Sequence, residues 1–341
     1  MNSLPHPWPS FLTRQGAIFA PDSARLLHFG DPAAELAAAA GGTVVVPLLQ
    51  LAGIEAAGED ARTFLHAQFT NDLNHLQDGQ AQLSAWCSAK GRMLANFIIH
   101  RQEGGYRLIL AADLQPAILK RLQMFILRSR VQLVDVSVSL GHLGVAGKEA
   151  ANALTAAGLP VPETPMSLQE RDGCCVIRLS PARFIVTLPL AGLADVWQHL
   201  AAQATPAGQP AWEWLDIREA LPWITTATRE EFVPQMADLE KLGGVSFHKG
   251  CYPGQEVVAR TQYLGKVKRH LYRLRSTEPL QPGEELHSPA SPDQSAGKVI
   301  CCAPDPAGGF AALAVVIATA AADLHQGAAD GPRLEAAAVH P

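Results

Sequence analysis

Along the chain, stretches with an apolar period of two alternate with stretches of period 3.6, and the turns between them are tight. Thr43–Gly53 is a β-branched apolar run bounded by glycines and predicts a strand. In the following stretch, Glu59–Phe69, Ala61, Phe64, Leu65 and Phe69 recur at helical spacing, and Thr70-Asn71-Asp72 marks the helix exit. From Ala81 to Asp113 strands alternate with turns at Lys90-Gly91-Arg92 and Gly104-Gly105, the pattern of an antiparallel meander and not of a βαβ repeat. Pro116–Arg128 returns to the 3.6 period, and Val131–Leu140 predicts another strand.

The middle of the chain repeats the mixture. Lys148–Gly158 and Leu193–Gln203 predict helices, with a hairpin of Cys174–Ser180 and Arg183–Pro189 between them. Residues 1–43, rich in Pro and Ala, predict a loose lead-in with one short helix over Ala37–Ala40, and Thr205–Pro210 predicts a linker. After Gly265 the strands shorten and turns crowd, as a small β-barrel requires. The fold class is therefore α+β, antiparallel sheets with helices. Its expected parts are the lead-in 1–43, a first α+β part 44–145, a second 146–205, a return segment 206–264 and a barrel 265–341.

Composition narrows the function. The 341 residues carry 27 Lys+Arg and 32 Asp+Glu, a net charge of −5, and 48% are hydrophobic, which excludes a disordered chain and leaves no basic excess for a dedicated nucleic-acid binder. No apolar run reaches the roughly 18 residues of a membrane span, and Pro5, Pro7 and Pro9 interrupt the N-terminus, so neither a membrane nor an export signal is expected. Six cysteines, two of the pairs adjacent, do not make a disulfide scaffold, and a cytoplasmic protein directed at a small molecule is the expectation.

The common nucleotide, hydrolase and metal motifs are absent, and no metal is expected. Cys174, Cys175, Cys301 and Cys302 lie in strand-like apolar runs and read as core thiols. The segment Gly243–Arg269 stands apart. Its Cys251 is flanked by His248, Lys249 and Gly250, with Gly254 close behind; neighbouring cations favour thiolate, and glycines allow close backbone approach. Pro253 would open a helix, Glu256 would complement its dipole, and Arg260 lies at i,i+4 from Glu256. A glycine-rich turn with an incidental cysteine is the competing reading.

Trp212, Trp214 and Trp223 form a second cluster, with Trp212 and Trp214 on one face of an expected strand and Arg218 able to hold a carboxylate; core packing is the alternative. Lys90 and Arg92 are either an exposed turn or an anion contact. The basic run Lys266, Lys268, Arg269, His270 is either a solvated strand face or a contact to phosphate.

At these residues the chain resembles the YgfZ family of folate-binding proteins, relatives of the glycine-cleavage T protein that help maintain iron–sulfur enzymes. The hallmark is carried by Lys249-Gly250-Cys251-Tyr252-Pro253-Gly254-Gln255-Glu256, continuing into Val258-Ala259-Arg260. Supporting blocks are Phe64-Leu65, Gln68, Thr70-Asn71-Asp72, Cys87 with Lys90-Gly91-Arg92, and Glu231–Gln235, in the family's order. The resemblance spans about residues 48 to 317. It implies a three-domain T-protein-like architecture around a folate channel, and tetrahydrofolate or a derivative as ligand. Trp212 falls at an aromatic folate contact, Arg218 helps hold the folate, and Cys251 is the reactive thiol beside it. Implied partners are iron–sulfur client or assembly proteins, with tRNA modification affected indirectly and direct nucleic-acid contact disfavoured. The alternative is a folate-dependent aminomethyl or one-carbon transferase. Asp113 would be its catalytic carboxylate, although Leu110–Asp113 lacks the Asn of the transferases.

Overall fold

The computed structural model describes residues 7–21, 23–263, 265 and 267–340. They form two compact units between which the chain alternates: one holds the described residues up to Ile54, Gly79–Ala81 and Asp135–Trp212; the other holds Glu55–Asp78, Gln82–Val134 and the described residues from Glu213 onward.

The first unit is built on a six-stranded sheet in the order Leu168–Arg171, Cys174–Ser180, Arg183–Pro189, Leu140–Gly147, Thr43–Pro47, Thr205–Pro206. All neighbours are antiparallel except the last, which runs parallel to Thr43–Pro47. Alternation sets the core: Leu143, Val145, Val176, Phe184 and Val186 face one way, and Leu193, Trp197 and Leu200 of the helix Leu190–Ala201 and Leu154 of the helix Ala150–Ala156 pack on them. The N-terminal stretch is not a loose lead-in. It carries a helix, Pro7–Arg14, that buries Trp8 and Leu12 in the same core, a two-stranded ribbon, and a helix, Pro32–Gly41, capped by Asp31 and longer than the Ala run suggested. Thr205–Pro210 is not a linker either: Ala207 is fully buried, and Glu35, itself buried, accepts the N–H groups of Phe29 and Gly208.

The second unit holds most of a five-stranded sheet, ordered Ala81–Cys87, Met93–Gln102, Gly105–Ala111, Leu51–Ala57, Gln132–Asp135. The expected meander is its first three strands. The expected long strand from Thr43 is two strands, because Leu48–Gln50 turn between Thr43–Pro47 and Leu51–Ala57. The helix expected over Pro116–Arg128 spans Gln115–Gln123 and stops there, leaving Met124, Phe125 and Leu127 exposed, Leu127 with a positive φ that a helix cannot continue. The strand expected over Val131–Leu140 shrinks to Gln132–Asp135.

The C-terminal barrel is present. Arg269–Ser276, Phe310–Ile317, Gly297–Pro304, Glu285–His287, Leu324–Gln326 and Arg333–Ala338 close on one another around Leu274, Leu286, Val299, Ala314, Val316 and Leu334. Among the described residues no helix is long and apolar enough to cross a membrane.

Candidate functional site

The segments that carry the family resemblance meet in the second unit, and the connections are backbone and buried polar contacts. The helix Ala61–Gln68 places Phe64 and Leu65 in the core and ends at Phe69. At its exit, the buried Thr70 donates Oγ1–H to the Gly244 carbonyl (2.8 Å), while its own carbonyl accepts the Ser246 N–H (2.9 Å). The Asn71 side-chain amide donates to the carbonyls of Leu83 and Gly243, each at 2.7 Å. Thr70 and Asn71 thus hold the approach to Lys249 as a strand neighbour would.

Lys249 completes the attachment. Its buried ammonium donates to the carbonyls of His66 and Phe69, at the C-terminal end of the helix, where carbonyls lack intrahelical partners and a cation complements the dipole. Burial pulls its pKa down to about 8, with Asp72 and the nearby Cys251 pulling the other way. The lysine of the motif is therefore a helix cap as well as a neighbour of the thiol.

The glycines act on backbone packing. Gly254 has φ +79°, and a Cβ there would lie 2.6 Å from Gly91 Cα and closer still to the Ser88 carbonyl oxygen. Gly91 has φ +71°, and its Cβ would lie 2.9 Å from Val257 Cβ. The turn carrying Lys90 and Arg92 is thus pressed against the motif, glycine to glycine. Tyr252 is buried with Val245, Val258 and Phe247, and its ring lies 4.9 Å from Lys249 Nζ. The helix begins at Gln255, two residues after the expected Pro253, with Glu256 in its first turn. From the Glu231–Gln235 block, Gln235 donates to the Val258 carbonyl (2.8 Å) and Phe232 accepts the Met93 N–H (2.8 Å).

On this scaffold Gly250 and Cys251 are exposed, as are Lys90, Glu256 and Arg260. His66, which the sequence did not single out, lies 3.9 Å by its Nε2 from the position a Gly250 Cβ would take, and its Nδ1 is 3.4 Å from the Asp72 carboxylate. Asp72 in turn takes His75 Nδ1 at 2.8 Å. Burial and the nearby Lys249 ammonium hold His66 below the usual imidazole pKa, so it borders the thiol loop largely as a neutral base. Only its place three residues before the Phe69 turn could have flagged it.

The other predicted residues have separate surroundings. Trp212 and Trp214 lie on a helix, Gln209–Glu219, and not on a strand, so positions two apart point to different sides. Trp212 belongs to the first unit, is 1% exposed, packs on Gly144 of the sheet face opposite the helices, and carries the Arg183 guanidinium 4.2 Å above its ring. Trp214, half-buried in the second unit, has the exposed Arg218 guanidinium 5.1 Å above its ring, the i,i+4 neighbour on the helix. Asp113 accepts the Thr226 N–H at 2.8 Å, and the buried Asn96 holds the same segment through Pro222 and Ile224. Arg92 donates to the carbonyls of Glu230 and Glu231. Of the basic run, Lys266 lies outside the described residues.

Thiol chemistry separates the cysteines. Burial pushes Cys87 up to about 12 and Cys174 up to about 11, and Cys175 is buried in its strand; Cys301 and Cys302 are only partly covered, less than the core position expected of them. Cys251 is the exposed one. Brief iodoacetamide treatment of the native protein should give one fast adduct at Cys251, and Cys251→Ser should lower the initial labelling rate by roughly tenfold or more. Mass spectrometry of the peptides checks this, and fast labelling that persists in the variant would contradict it.

Comparison with known proteins identifies the fold and the family. Residues 19–161 match the model of the GCVT N-terminal domain. A tRNA-modifying protein YgfZ from Klebsiella pneumoniae is 35% identical over 233 residues, covering 67% of this chain and 71% of that protein. One of the same name from Colwellia psychrerythraea is 30% identical, covering 69% and 72%. The crystal structure of the glycine cleavage system aminomethyltransferase T from Bartonella henselae superposes with a TM-score of 0.80 over 98% of this chain and 96% of that one, at 18% identity, which shows the shared fold. The helix-capping lysine, the exposed cysteine and the paired glycines thus sit in a T-protein fold, and the chain belongs to the YgfZ family.

Proposed function

We propose that the protein binds tetrahydrofolate or a derivative and, as a cytoplasmic accessory protein, supports the assembly or repair of iron–sulfur clusters, acting on tRNA modification through the enzymes that use them. The observation that carries this reading is the exposed Cys251 on a loop immobilised by Lys249, Thr70 and Gly254, in a chain whose relatives bear the name tRNA-modifying protein. A loop so firmly held displays a thiol for chemistry with a partner and would otherwise have no need to expose it.

The ligand class fits residues present here. Tetrahydrofolate offers flat rings, the pyrimidinone and the aminobenzoyl group, and a carboxylate-bearing tail. Arg218, exposed and stacked on Trp214, presents a cation able to take a carboxylate beside an aromatic surface. A net charge of −5 argues that the connection to tRNA runs through client proteins and not through contact with RNA.

The test is complementation of a bacterial strain lacking its own family member. Wild type should restore the activity of iron–sulfur enzymes, and Cys251→Ala should restore less than about a tenth of it while accumulating normally. Full restoration by Cys251→Ala removes the thiol from the function, and failure of wild type removes the pathway.

A further inference from the structure

A second site is visible in the second unit, beside the barrel. A cavity of about 240 Å³ is lined by Arg92, Arg269 and Lys298 together with Glu231 and Glu285, over Phe232 and Met236. Three cations face two carboxylates, and the pairing is uneven. Lys298 takes both acids, Glu231 at 2.9 Å and Glu285 at 3.7 Å. The two guanidiniums are held by backbone carbonyls instead: Arg92 by Glu230 and Glu231, Arg269 by Ser295 at 2.8 Å. Carbonyls orient a guanidinium without neutralising it. Burial and the positive charge of Arg92 both act against the charged form of Arg269, with Glu285 only partly offsetting them.

We propose that this cavity is a phosphate site, taking inorganic phosphate or the phosphoryl group of a small phosphorylated metabolite, with Arg92 and Arg269 as its receptors. Two preoriented guanidiniums suit the oxygens of a tetrahedral oxyanion, and their mutual repulsion falls when a dianion enters. The cavity is smaller than those that enclose drug-sized ligands, roughly 300–1,000 Å³, so a single phosphoryl group and its immediate substituent fill it. Lys298, occupied by Glu231 and Glu285, sets the rim and leaves those acids as the brake on affinity.

None of the residues lining this cavity belongs to Gly250–Glu256, and its test does not involve folate. Isothermal titration of the whole protein with inorganic phosphate and, in a parallel arm, with ribose 5-phosphate should show one equivalent bound; tighter binding of the second identifies a metabolite as the natural source, and equal binding identifies free phosphate. Arg269→Gln should weaken binding at least tenfold, as should Arg92→Gln. Glu285→Gln removes an exposed carboxylate at the rim and should tighten binding about threefold, the size expected for one solvent-screened charge; because it is a gain, it cannot be mistaken for misfolding. Absence of binding by wild type at millimolar phosphate, or an unchanged affinity in both Arg269→Gln and Glu285→Gln, overturns the proposal.

Discussion

Gly254→Ala should destabilise the second unit by about 3 kcal/mol, the sum of an alanine forced into left-handed backbone and of overpacking against main chain. The position has φ +79°, and the added methyl would meet Gly91 Cα at 2.6 Å and the Ser88 carbonyl oxygen, neither of which can swing aside as a flexible side chain could. Thermal unfolding should show the transition of that unit lowered by roughly 10 °C. Gly91→Ala, with φ +71° and Val257 Cβ at 2.9 Å, should cost less, because the nearest main-chain atom to its methyl, the Gly254 carbonyl oxygen, lies at 3.3 Å. Since both glycines serve one contact, the double variant should lose less than the sum of the single losses. Strict additivity would show that the turn and the motif do not share that contact. The wider consequence concerns Cys251, three residues away. Loss of the Gly254 contact should loosen its loop, so the thiol should stay reactive towards iodoacetamide while complementation falls.

The legible part of the molecule was the part governed by local rules. The period of Ala61, Phe64 and Leu65, the turns at Gly91 and Gly104, the Cys174–Pro189 hairpin and the crowded short strands after Gly265 each declare an element within a few residues. Elements held by distant partners were not legible. Glu35 is an ordinary acid in the sequence, yet its carboxylate ties residues 29 and 208 together and gives the expected linker a place in the first unit. Trp212 and Trp214 fit a strand face by spacing, but the segment is helical, because what decides is Trp212 packing on Gly144 and Arg273 reaching the carbonyls of Ile217 and Arg218 at the helix end. At the candidate site the residue types in Lys249–Glu256 were legible and their duties were not. A lysine beside a cysteine reads as a thiolate partner, while its capping of a helix nearly two hundred positions earlier in the chain depends on the fold.

Trp212→Ala should destabilise the first unit by about 3–5 kcal/mol, the usual loss for a fully buried large aromatic. The ring covers the sheet at Gly144, where a Cβ would stand 2.5 Å from its Cε3, so the glycine exists to admit it. Arg183, buried beneath, also loses the aromatic face it lies against at 4.2 Å. Gly144→Ala should destabilise in the same sense by displacing the ring. Trp212→Phe keeps an aromatic face over Gly144 and should cost about 1–2 kcal/mol less than the alanine variant loses in full. That variant separates two duties for one residue. A tryptophan that stacks on folate would lose affinity on becoming phenylalanine even in a folded protein. One that is 1% exposed and closed between Gly144 and Arg183 would lose stability and keep its ligand. Calorimetric titration of folded Trp212→Phe with tetrahydrofolate should therefore give a Kd within about twofold of wild type, whereas Arg218→Ala, which removes the exposed cation on Trp214, should weaken binding about tenfold, as loss of a charge-assisted hydrogen bond does. A tenfold loss in Trp212→Phe with unchanged Arg218→Ala would reverse the assignment and return the folate ring to Trp212.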